Sequence, residues 1–281
     1  MIKSILITGA HGSIGSEICG FFDKKKTIIY KLVRENKNNE KKTYTLKTIK
    51  NLKKRIDLVI HLAGYNPHPY LKLNSEKDLY NKNIEIHRNI LGIIRRNNVE
   101  KVIFFSTFSL YQNGKIVNEN SKLSINDYYT KSKIWMEKQL SKQDLSCYIL
   151  RSSAIIFKNS KNNWISQIIS KISKNEEITL YNKDNKYNNC LHISDLKKVI
   201  LKLISIKKKQ KKIYNISSNK PLKILEIKNI IKKNKAYNKK VLIKHNSKIR
   251  GFFNSSKKIQ KELNIKFKSN KDTLSSVLSK D

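Results

Sequence analysis

Alanine, glycine, proline and arginine are scarce in this sequence of 281 residues. It contains 4 alanines, 8 glycines, 3 prolines and 7 arginines, against 53 lysines and 32 asparagines. Depletion of these four residue types together with enrichment of Lys, Asn and Ile is what the codons of an AT-rich genome produce. We therefore attribute the bias to codon usage before attributing it to a particular partner.

Cysteine and long apolar runs are also scarce. Cys19, Cys147 and Cys190 are odd in number, widely spaced and inside apolar segments. This predicts reduced, buried thiols in a cytoplasmic protein. No segment approaches the roughly 18 apolar residues that a membrane span needs. The first apolar run begins almost at residue 1, so we expect neither a secretory signal nor a membrane partner.

Acidic residues are few, and the formal net charge is +39. Such a charge raises the hypothesis of nucleic-acid binding, which would show a steep salt dependence. The lysines are spread along the whole chain, however, and the densest run, at residues 207–212, lies between a predicted helix and a predicted strand. We predict a solvated basic surface that attracts anionic ligands, with no specific nucleic-acid partner.

Apolar runs and helical patterns alternate over residues 1–150. The runs suited to buried strands are 4–7, 27–33, 57–62, 101–106 and 145–150, and the helical patterns are 14–22, 46–54, 74–96 and 128–142. Strands joined by crossover helices form parallel sheets with helices on both faces. We therefore predict an α/β fold, a doubly wound parallel Rossmann sheet that binds a dinucleotide.

The pattern loosens after residue 150. Strands are predicted at 151–157, 178–180, 213–216 and 241–245, and helices at 163–173, 194–206, 224–233 and 255–263. We expect residues 151–281 to form a smaller C-terminal α/β lobe that mainly binds substrate, with strands and helices returning to the Rossmann core.

A glycine-rich turn directly follows the first predicted strand. Gly9, Gly12 and Gly15 are each three residues apart, and a helical pattern begins at once. In this arrangement the first glycine permits the tight turn, the second lets the backbone approach a pyrophosphate, and the third allows close helix–strand packing. The segment predicts a phosphate-binding turn at a helix N-terminus.

Two further strand ends bear on the cofactor. Val33 or Arg34 occupies the position where NAD-binding proteins carry an acidic residue, and an arginine there can pair with a 2′-phosphate. This favours NADP over NAD, with a merely solvated Arg34 as the alternative. The third strand ends in Ala63-Gly64, which leaves room for a cofactor against the backbone, while His61 is expected to be a core residue.

A hydroxyl-tipped strand and a Tyr-x-x-x-Lys spacing indicate the chemistry. Thr107 ends the fourth strand, and Tyr129 and Lys133 would share one face of a helix. An ammonium near a phenol lowers the phenol's pKa. Tyr129 could then act as general acid or base on a carbinol or carbonyl oxygen that Thr107 also binds.

With these motifs, the chain resembles the extended short-chain dehydrogenase/reductase family, also called the NAD-dependent epimerase/dehydratase family. The matching segments are TGAHGSIG at 8–15, HLAG at 61–64, Asn83, STFSLY at 106–111, YTKSKIWME at 129–137, LR at 150–151, LHISDL at 191–196 and YNISS at 214–218.

The resemblance implies an enzyme and assigns roles to its residues. Thr107, Tyr129 and Lys133 would be catalytic, with Lys133 also binding the nicotinamide ribose. The expected cofactor residues are Gly9, His11, Gly12, Ser13, Ile14, Gly15, Arg34, Leu62, Ala63, Gly64, Asn83, Tyr129 and Lys133. Thr107, Tyr129 and Arg250 would contact the substrate, a sugar that is expected to be nucleotide-linked.

Departures from the family pattern narrow the reaction. Phe108 and Ser109 replace the Asp-Glu pair of dehydratase members, which argues against a 4,6-dehydratase. Ala154 replaces an asparagine near the substrate's phosphates, which weakens the nucleotide-sugar assignment. A 4-keto reductase is favoured because the chain is short and Arg34 suggests NADP.

Two alternatives stay open, namely a nucleotide-sugar 4-epimerase with tightly bound NAD and a non-catalytic dinucleotide-binding module. Family members often pair through two helices of each copy, so we expect a homodimer formed by residues 74–96 and 128–142.

Overall fold

The computed structural model describes residues 2–24, 27–67, 75–111, 116–161, 163–248 and 253–278. The chain divides into two compact units. The first unit contains residues 1–110, 123–151 and 200–213, and the second contains residues 111–122, 152–199 and 214–281.

Strands and helices alternate along the described residues. The strands are β1 (Ser4–Thr8), β2 (Ile28–Leu32), β3 (Thr43–Tyr44), β4 (Leu58–His61), β5 (Lys101–Thr107), β6 (Ile116–Val117), β7 (Ser146–Ser152), β8 (Ala154–Ile156), β9 (Ile178–Tyr181), β10 (Lys186–Tyr187), β11 (Cys190–His192), β12 (Lys211–Ile216), β13 (Leu222–Lys223), β14 (Val241–Lys244) and β15 (Phe253–Asn254). The α-helices are α1 (Ser13–Asp23), α2 (Glu76–Arg96), α3 (Tyr128–Ser141), α4 (Trp164–Ser173), α5 (Ile193–Ser205), α6 (Ile224–Ile231), α7 (Lys257–Glu262) and α8 (Asn270–Leu278). Short 3-10 helices cover Ile49–Asn51 and Phe108–Leu110.

A seven-stranded sheet in the order β12-β7-β5-β4-β1-β2-β3 confirms the predicted Rossmann-type fold. The pairings from β3 through β5 are parallel. The strands read as continuous apolar runs because both faces of such a sheet are covered. On one face the neighbouring residues Leu6, Val59 and Val102 pack with side chains of α2 and α3. This packing fixes both helices against the sheet that carries the glycine-rich turn.

The second unit contains short strand pairs around its own apolar core. β8 pairs with β11, β9 with β14 and β6 with β15 in parallel, whereas β10 and β13 are antiparallel. Isoleucines of α4 and α6 and leucines of α8 fill this core.

The helix predicted at 46–54 is wrong. Only the single 3-10 turn Ile49–Asn51 forms there. The Thr45 amide donates to the Thr48 hydroxyl at 2.9 Å, and the Thr48 amide donates to the Thr45 carbonyl at 3.1 Å. Threonine side chains that bond nearby backbone in this way compete with helix formation. Ile49 and Leu52 are nevertheless buried in the core of the first unit.

The two helices that carry the candidate site begin at defined caps. The Ser75 hydroxyl accepts from the Asp78 amide at 3.1 Å at the start of α2. The Asp127 carboxylate accepts from the Thr130 amide at 2.8 Å at the start of α3. Such side-chain caps satisfy amides that the helix itself leaves unpaired. The cap at Asp127 therefore fixes the first turn of α3, which contains Tyr129.

All three cysteines are buried free thiols. Burial raises the pKa of Cys147 and Cys190 to about 12 and that of Cys19 to about 11. Among the described residues, no helix is long and apolar enough to cross a membrane.

Helix α1 offers a matched pair of glycine substitutions. A Cβ at Gly15 would lie 2.1 Å from the Gly9 carbonyl oxygen, whereas a Cβ at Gly20 would meet no atom within 4 Å. We expect Gly15→Ala to lower the free energy of unfolding by about 2 kcal/mol or more, because backbone must shift to relieve the clash. Gly20→Ala should stabilise by roughly 0.5–1 kcal/mol through helix propensity. Urea denaturation measures both, and equal effects of the two variants would contradict the assigned packing.

Candidate active site

The glycine-rich turn joins β1 to α1 and leaves a helix N-terminus open. Gly9 has a φ of +69°, and its amide donates to the Leu32 carbonyl at 2.8 Å. Gly12 is the N-cap of α1, no side chain caps this helix, and its first turn carries no acidic residue. Since unpaired amides and the helix dipole favour anions, this end of α1 suits a phosphate.

A cavity of about 1190 Å³ lies beside the turn within the first unit. Its walls include seven of the predicted cofactor residues, Gly9, His11, Gly12, Arg34, Leu62, Ala63 and Gly64. Of the other six, Ser13, Ile14 and Gly15 start α1, Asn83 lies in α2, and Tyr129 and Lys133 lie in α3. Glu40 and Tyr65 also line the cavity, and the sequence analysis names neither.

The end of β4 is fixed by a buried hydrogen-bond chain. The Thr8 hydroxyl accepts from the amides of Leu62 at 3.0 Å and Ala63 at 2.9 Å. It must therefore donate its own proton to Nδ1 of His61, 2.8 Å away. His61 Nε2 then donates to Nδ1 of His87 at 2.9 Å.

Both histidines of this hydrogen-bond chain, His61 and His87, are neutral. Burial lowers the pKa of His61 to about 3 and lowers that of His87 well below its usual range. His61 is thus a core residue, as the sequence predicts, and it holds the cavity wall through Thr8.

Asn83 links the cavity to α3. Its carbonyl oxygen accepts from the Tyr65 amide at 2.7 Å, and its amide group donates to the Tyr65 carbonyl at 3.0 Å. The same amide group lies 3.3 Å from the Ser132 hydroxyl. One buried side chain therefore holds both the segment after β4 and helix α3.

Thr107, Tyr129 and Lys133 lie together in the first unit. Tyr129 is hydrogen-bonded to Thr107, and the ammonium of Lys133 lies 5.6 Å from the centre of the Tyr129 ring. Lys133 Nζ donates to the Phe105 carbonyl at 2.9 Å. A Cβ built on Gly64 would stand 3.6 Å from Lys133 Nζ, so the ammonium adjoins a residue of the cavity wall.

The pKa of Tyr129 differs in direction from the sequence expectation. Burial raises it to about 12, and the hydrogen bond with Thr107 only partly opposes that rise. Burial also lowers the pKa of Lys133 to about 8, against a smaller raising effect of Glu137. With its pKa raised in this way, the phenol of Tyr129 is protonated at neutral pH.

A buried ion pair supports this arrangement. Arg151 donates to the Glu137 carboxylate from Nη2 at 2.9 Å and from Nε at 3.3 Å, and the Ser106 hydroxyl donates to it at 2.5 Å. The side chains of Arg151 and Glu137 are only 5% and 6% exposed. Glu137 lies in α3, Ser106 in β5 and Arg151 in β7, so three elements meet at one carboxylate.

None of these three residues is among the predicted site residues, although all belong to the quoted motifs. A glutamate four residues after Lys133 on a largely buried helix is the signal that could have identified the pair.

Of the two arginines predicted at the site, the structure describes Arg34 but not Arg250. The Arg34 guanidinium lies 5.0 Å from the centre of the Tyr65 ring and lines the cavity, although its side chain is solvent-exposed. Arg250 lies outside the described residues. Its predicted contact with substrate therefore stays a prediction.

The residues around the cavity fit a nicotinamide dinucleotide. The uncapped N-terminus of α1 corresponds to a pyrophosphate site, and the wall formed by Leu62, Ala63 and Gly64 to a site for the body of the cofactor. Arg34, the basic residue after β2, lies where the adenosine ribose binds in such folds. Among the described residues, no group of three or more His, Cys, Asp and Glu side chains could hold a metal ion.

Comparisons with known proteins agree with this geometry. Residues 5–217 match the NAD dependent epimerase/dehydratase family. A search of curated proteins found no significant match.

Several solved structures share the fold. UDP-N-acetylglucosamine 4-epimerase from Bacillus cereus is 20% identical with a TM-score of 0.77, over 98% of this chain and 97% of that one. ADP-L-glycero-D-manno-heptose-6-epimerase from Helicobacter pylori is 19% identical with a TM-score of 0.78, over 97% and 95%. UDP-glucose 4-epimerase from Bifidobacterium longum, solved with NAD+ and UDP, is 18% identical with a TM-score of 0.79, over 98% and 97%.

We expect Glu137→Gln to lower the free energy of unfolding by about 3–5 kcal/mol, because it leaves the Arg151 charge buried without its counter-charge. Glu100→Gln is the matched control. Glu100 pairs with Arg55 at 3.4 Å, but these side chains are 73% and 79% exposed, so its loss should cost less than about 1 kcal/mol. Chemical denaturation compares them, and similar losses in both variants would show that Glu137 is not an essential partner of Arg151.

Proposed function

Because this chain belongs to the NAD-dependent epimerase/dehydratase family, we propose that it exchanges hydride between a nicotinamide dinucleotide and the carbinol or ketone carbon of a nucleotide-linked sugar. Family membership makes it an enzyme of the extended short-chain dehydrogenase/reductase type. The reaction within that type is inferred from the site.

The observation that carries the proposal is the convergence of Thr107, Tyr129 and Lys133 next to the dinucleotide cavity. A hydroxyl, a phenol and an ammonium meet there on two neighbouring elements, β5 and α3. A protein that only binds a dinucleotide needs no such group, which weighs against the non-catalytic alternative.

The proposed cofactor contacts follow from the cavity wall. The backbone at Gly9 and Gly12 and the start of α1 would hold the pyrophosphate, and residues 62–64 would line its body. Lys133 would bind the nicotinamide ribose. When bound, the dinucleotide supplies or accepts the hydride that the side chains of the protein cannot provide.

The proton step falls to Tyr129. With a pKa of about 12 the phenol is protonated at neutral pH, so it can donate a proton to a ketone oxygen that becomes a hydroxyl. Thr107 would bind the same oxygen. Thr107 is itself held by Ser109, whose amide and hydroxyl both lie 3.2 Å from its side-chain oxygen.

One feature argues against a 4,6-dehydratase, and a second supports reduction of a 4-keto sugar. Phe108 and Ser109 stand where dehydratase members have an acidic pair, and a protonated Tyr129 suits the reducing direction. The 4-epimerase with tightly bound NAD is the second candidate. The names of two of the three solved structures favour it, since these are 4-epimerases, whereas the third is a 6-epimerase.

The finer choices of cofactor and sugar are also proposals. Arg34 at the cavity supports NADP, whereas the Bifidobacterium longum enzyme was solved with NAD+. The nucleotide parts of the named substrates include both UDP and ADP, so the base is left open. Residues 151–281 are our candidate for the substrate lobe.

The predicted homodimer and cytoplasmic location stay predictions. The exposed positions of α2 and α3 carry five cationic side chains, namely Lys77, Arg88, Arg95, Lys131 and Lys138. A dimer formed through these helices would have to accommodate their charges.

Tyr129→Phe should lower kcat/KM by about 100-fold or more, because it removes the only hydroxyl of the proposed proton donor. The Kd for dinucleotide, measured by fluorescence titration, should stay almost unchanged. Tyr128→Phe is the control, since Tyr128 precedes Tyr129 on the helix and contacts Tyr80 and Lys131 instead. Full turnover by Tyr129→Phe would remove this residue from the mechanism.

Reductase and epimerase differ in the fate of the cofactor. We expect the purified protein to oxidise added NADPH in the presence of a nucleotide 4-keto sugar, followed at the absorbance of the reduced nicotinamide. Protein that retains bound NAD on purification and interconverts nucleotide sugars without net redox change would favour the 4-epimerase instead.

A further inference from the structure

A carboxylate that the glycine and strand motifs do not include lies in the cofactor cavity. Glu40 Oε2 is 3.2 Å from Nζ of Lys31 and 3.4 Å from Nε2 of His11. Lys31 belongs to β2 and His11 to the glycine-rich turn. Glu40 therefore connects the two elements between which a dinucleotide's adenosine ribose must lie.

The loop that carries Glu40 is built around this position. The Asn36 side chain accepts from the Glu40 amide at 2.9 Å and donates to the Glu40 carbonyl at 3.3 Å. Asn39 and Lys42, on either side, have φ values of 47° and 57°, a region that side-chain-bearing residues seldom adopt. The backbone thus holds Glu40 in place independently of its carboxylate.

The Glu40 carboxylate is paired with Lys31 and His11. Hydrogen bonds with Lys31 and His11 keep the pKa of Glu40 below its usual value, so the carboxylate is ionised at neutral pH. Its negative charge lies next to His11, which lines the cavity, and next to Lys31 of β2. Arg34 lines the same cavity and would favour binding of a 2′-phosphate. Its guanidinium lies over the ring of Tyr65 and pairs with no carboxylate among the described residues.

We propose that Glu40 is a specificity residue of the cofactor site: it selects against the 2′-phosphate of NADP by occupying Lys31 and His11, and so opposes Arg34. This inference rests on the proposed function, since it requires a dinucleotide in the cavity. It assigns cofactor choice to a loop residue rather than to the end of β2 alone.

The test compares Kd values for NADPH and NADH, measured by the fluorescence of the reduced nicotinamide. Glu40→Gln keeps the shape of the side chain and removes the carboxylate that contacts Lys31 and His11. It should raise affinity for NADPH relative to NADH by at least about threefold, because one negative charge near the bound 2′-phosphate is removed. Lys31→Gln in the otherwise unchanged protein should shift the ratio toward NADH.

Glu35→Gln is the matched control. Glu35 lines the same cavity and loses the same charge, but it pairs with the exposed Lys37 at 3.5 Å and contacts neither Lys31 nor His11 among the described residues. Its affinity ratio should equal that of the unchanged protein.

The outcomes separate the two hypotheses. Failure of the unchanged protein to bind either dinucleotide would overturn the proposed function. Binding of both with the same ratio in Glu40→Gln, or an equal shift in Glu35→Gln, would overturn the role of Glu40 alone. If Glu40→Gln does not fold, the role of Glu40 is also overturned when Lys31→Gln leaves the ratio of NADPH to NADH affinity unchanged.

Discussion

The carboxylate of Glu137 is the constraint on which the candidate site depends. It is buried, and it accepts hydrogen bonds from Arg151 of β7 and Ser106 of β5 while belonging to α3. A buried charge that loses its partner costs several kcal/mol. Helix α3 therefore cannot slide or rotate without breaking this contact. Since Lys133 is one helical turn before Glu137 and Tyr129 one turn before Lys133, the same contact sets both side chains opposite Thr107.

Carboxylates have defined positions in a chain that is strongly basic. Only 21 acidic residues accompany 60 lysines and arginines. Asp57 accepts from the amides of Lys3 and Ser4 and from Arg55, at 2.8, 3.0 and 2.8 Å, and so ties β1 to β4 at the start of both strands. Glu40 lines the cofactor cavity and contacts Lys31 and His11. Where cations are abundant, the positions of the few carboxylates decide where charge is paired. The proposed role of Glu40 in cofactor choice follows from its position.

The sequence predicts most of the fold and part of the site, for physical reasons that differ by residue. The glycine spacing and the apolar strands predict β1, α1 and the parallel sheet, because these depend on local backbone geometry and burial. The Tyr129 and Lys133 spacing predicts that they share a helix face. The helix expected at 46–54 is wrong because threonine side chains bond the local backbone. The pKa of Tyr129 is raised mainly by burial, which residue spacing does not report. Glu40 reaches the cavity through a loop whose shape comes from Asn36 and two left-handed residues, a feature that no periodicity indicates.

The most direct test of the central claim is a crystal structure of the protein with NADPH. The account predicts that the pyrophosphate lies against the amides at the start of α1 and that the nicotinamide lies beside Tyr129, Thr107 and Lys133. A dinucleotide bound elsewhere, or one whose nicotinamide points away from these three side chains, would contradict it.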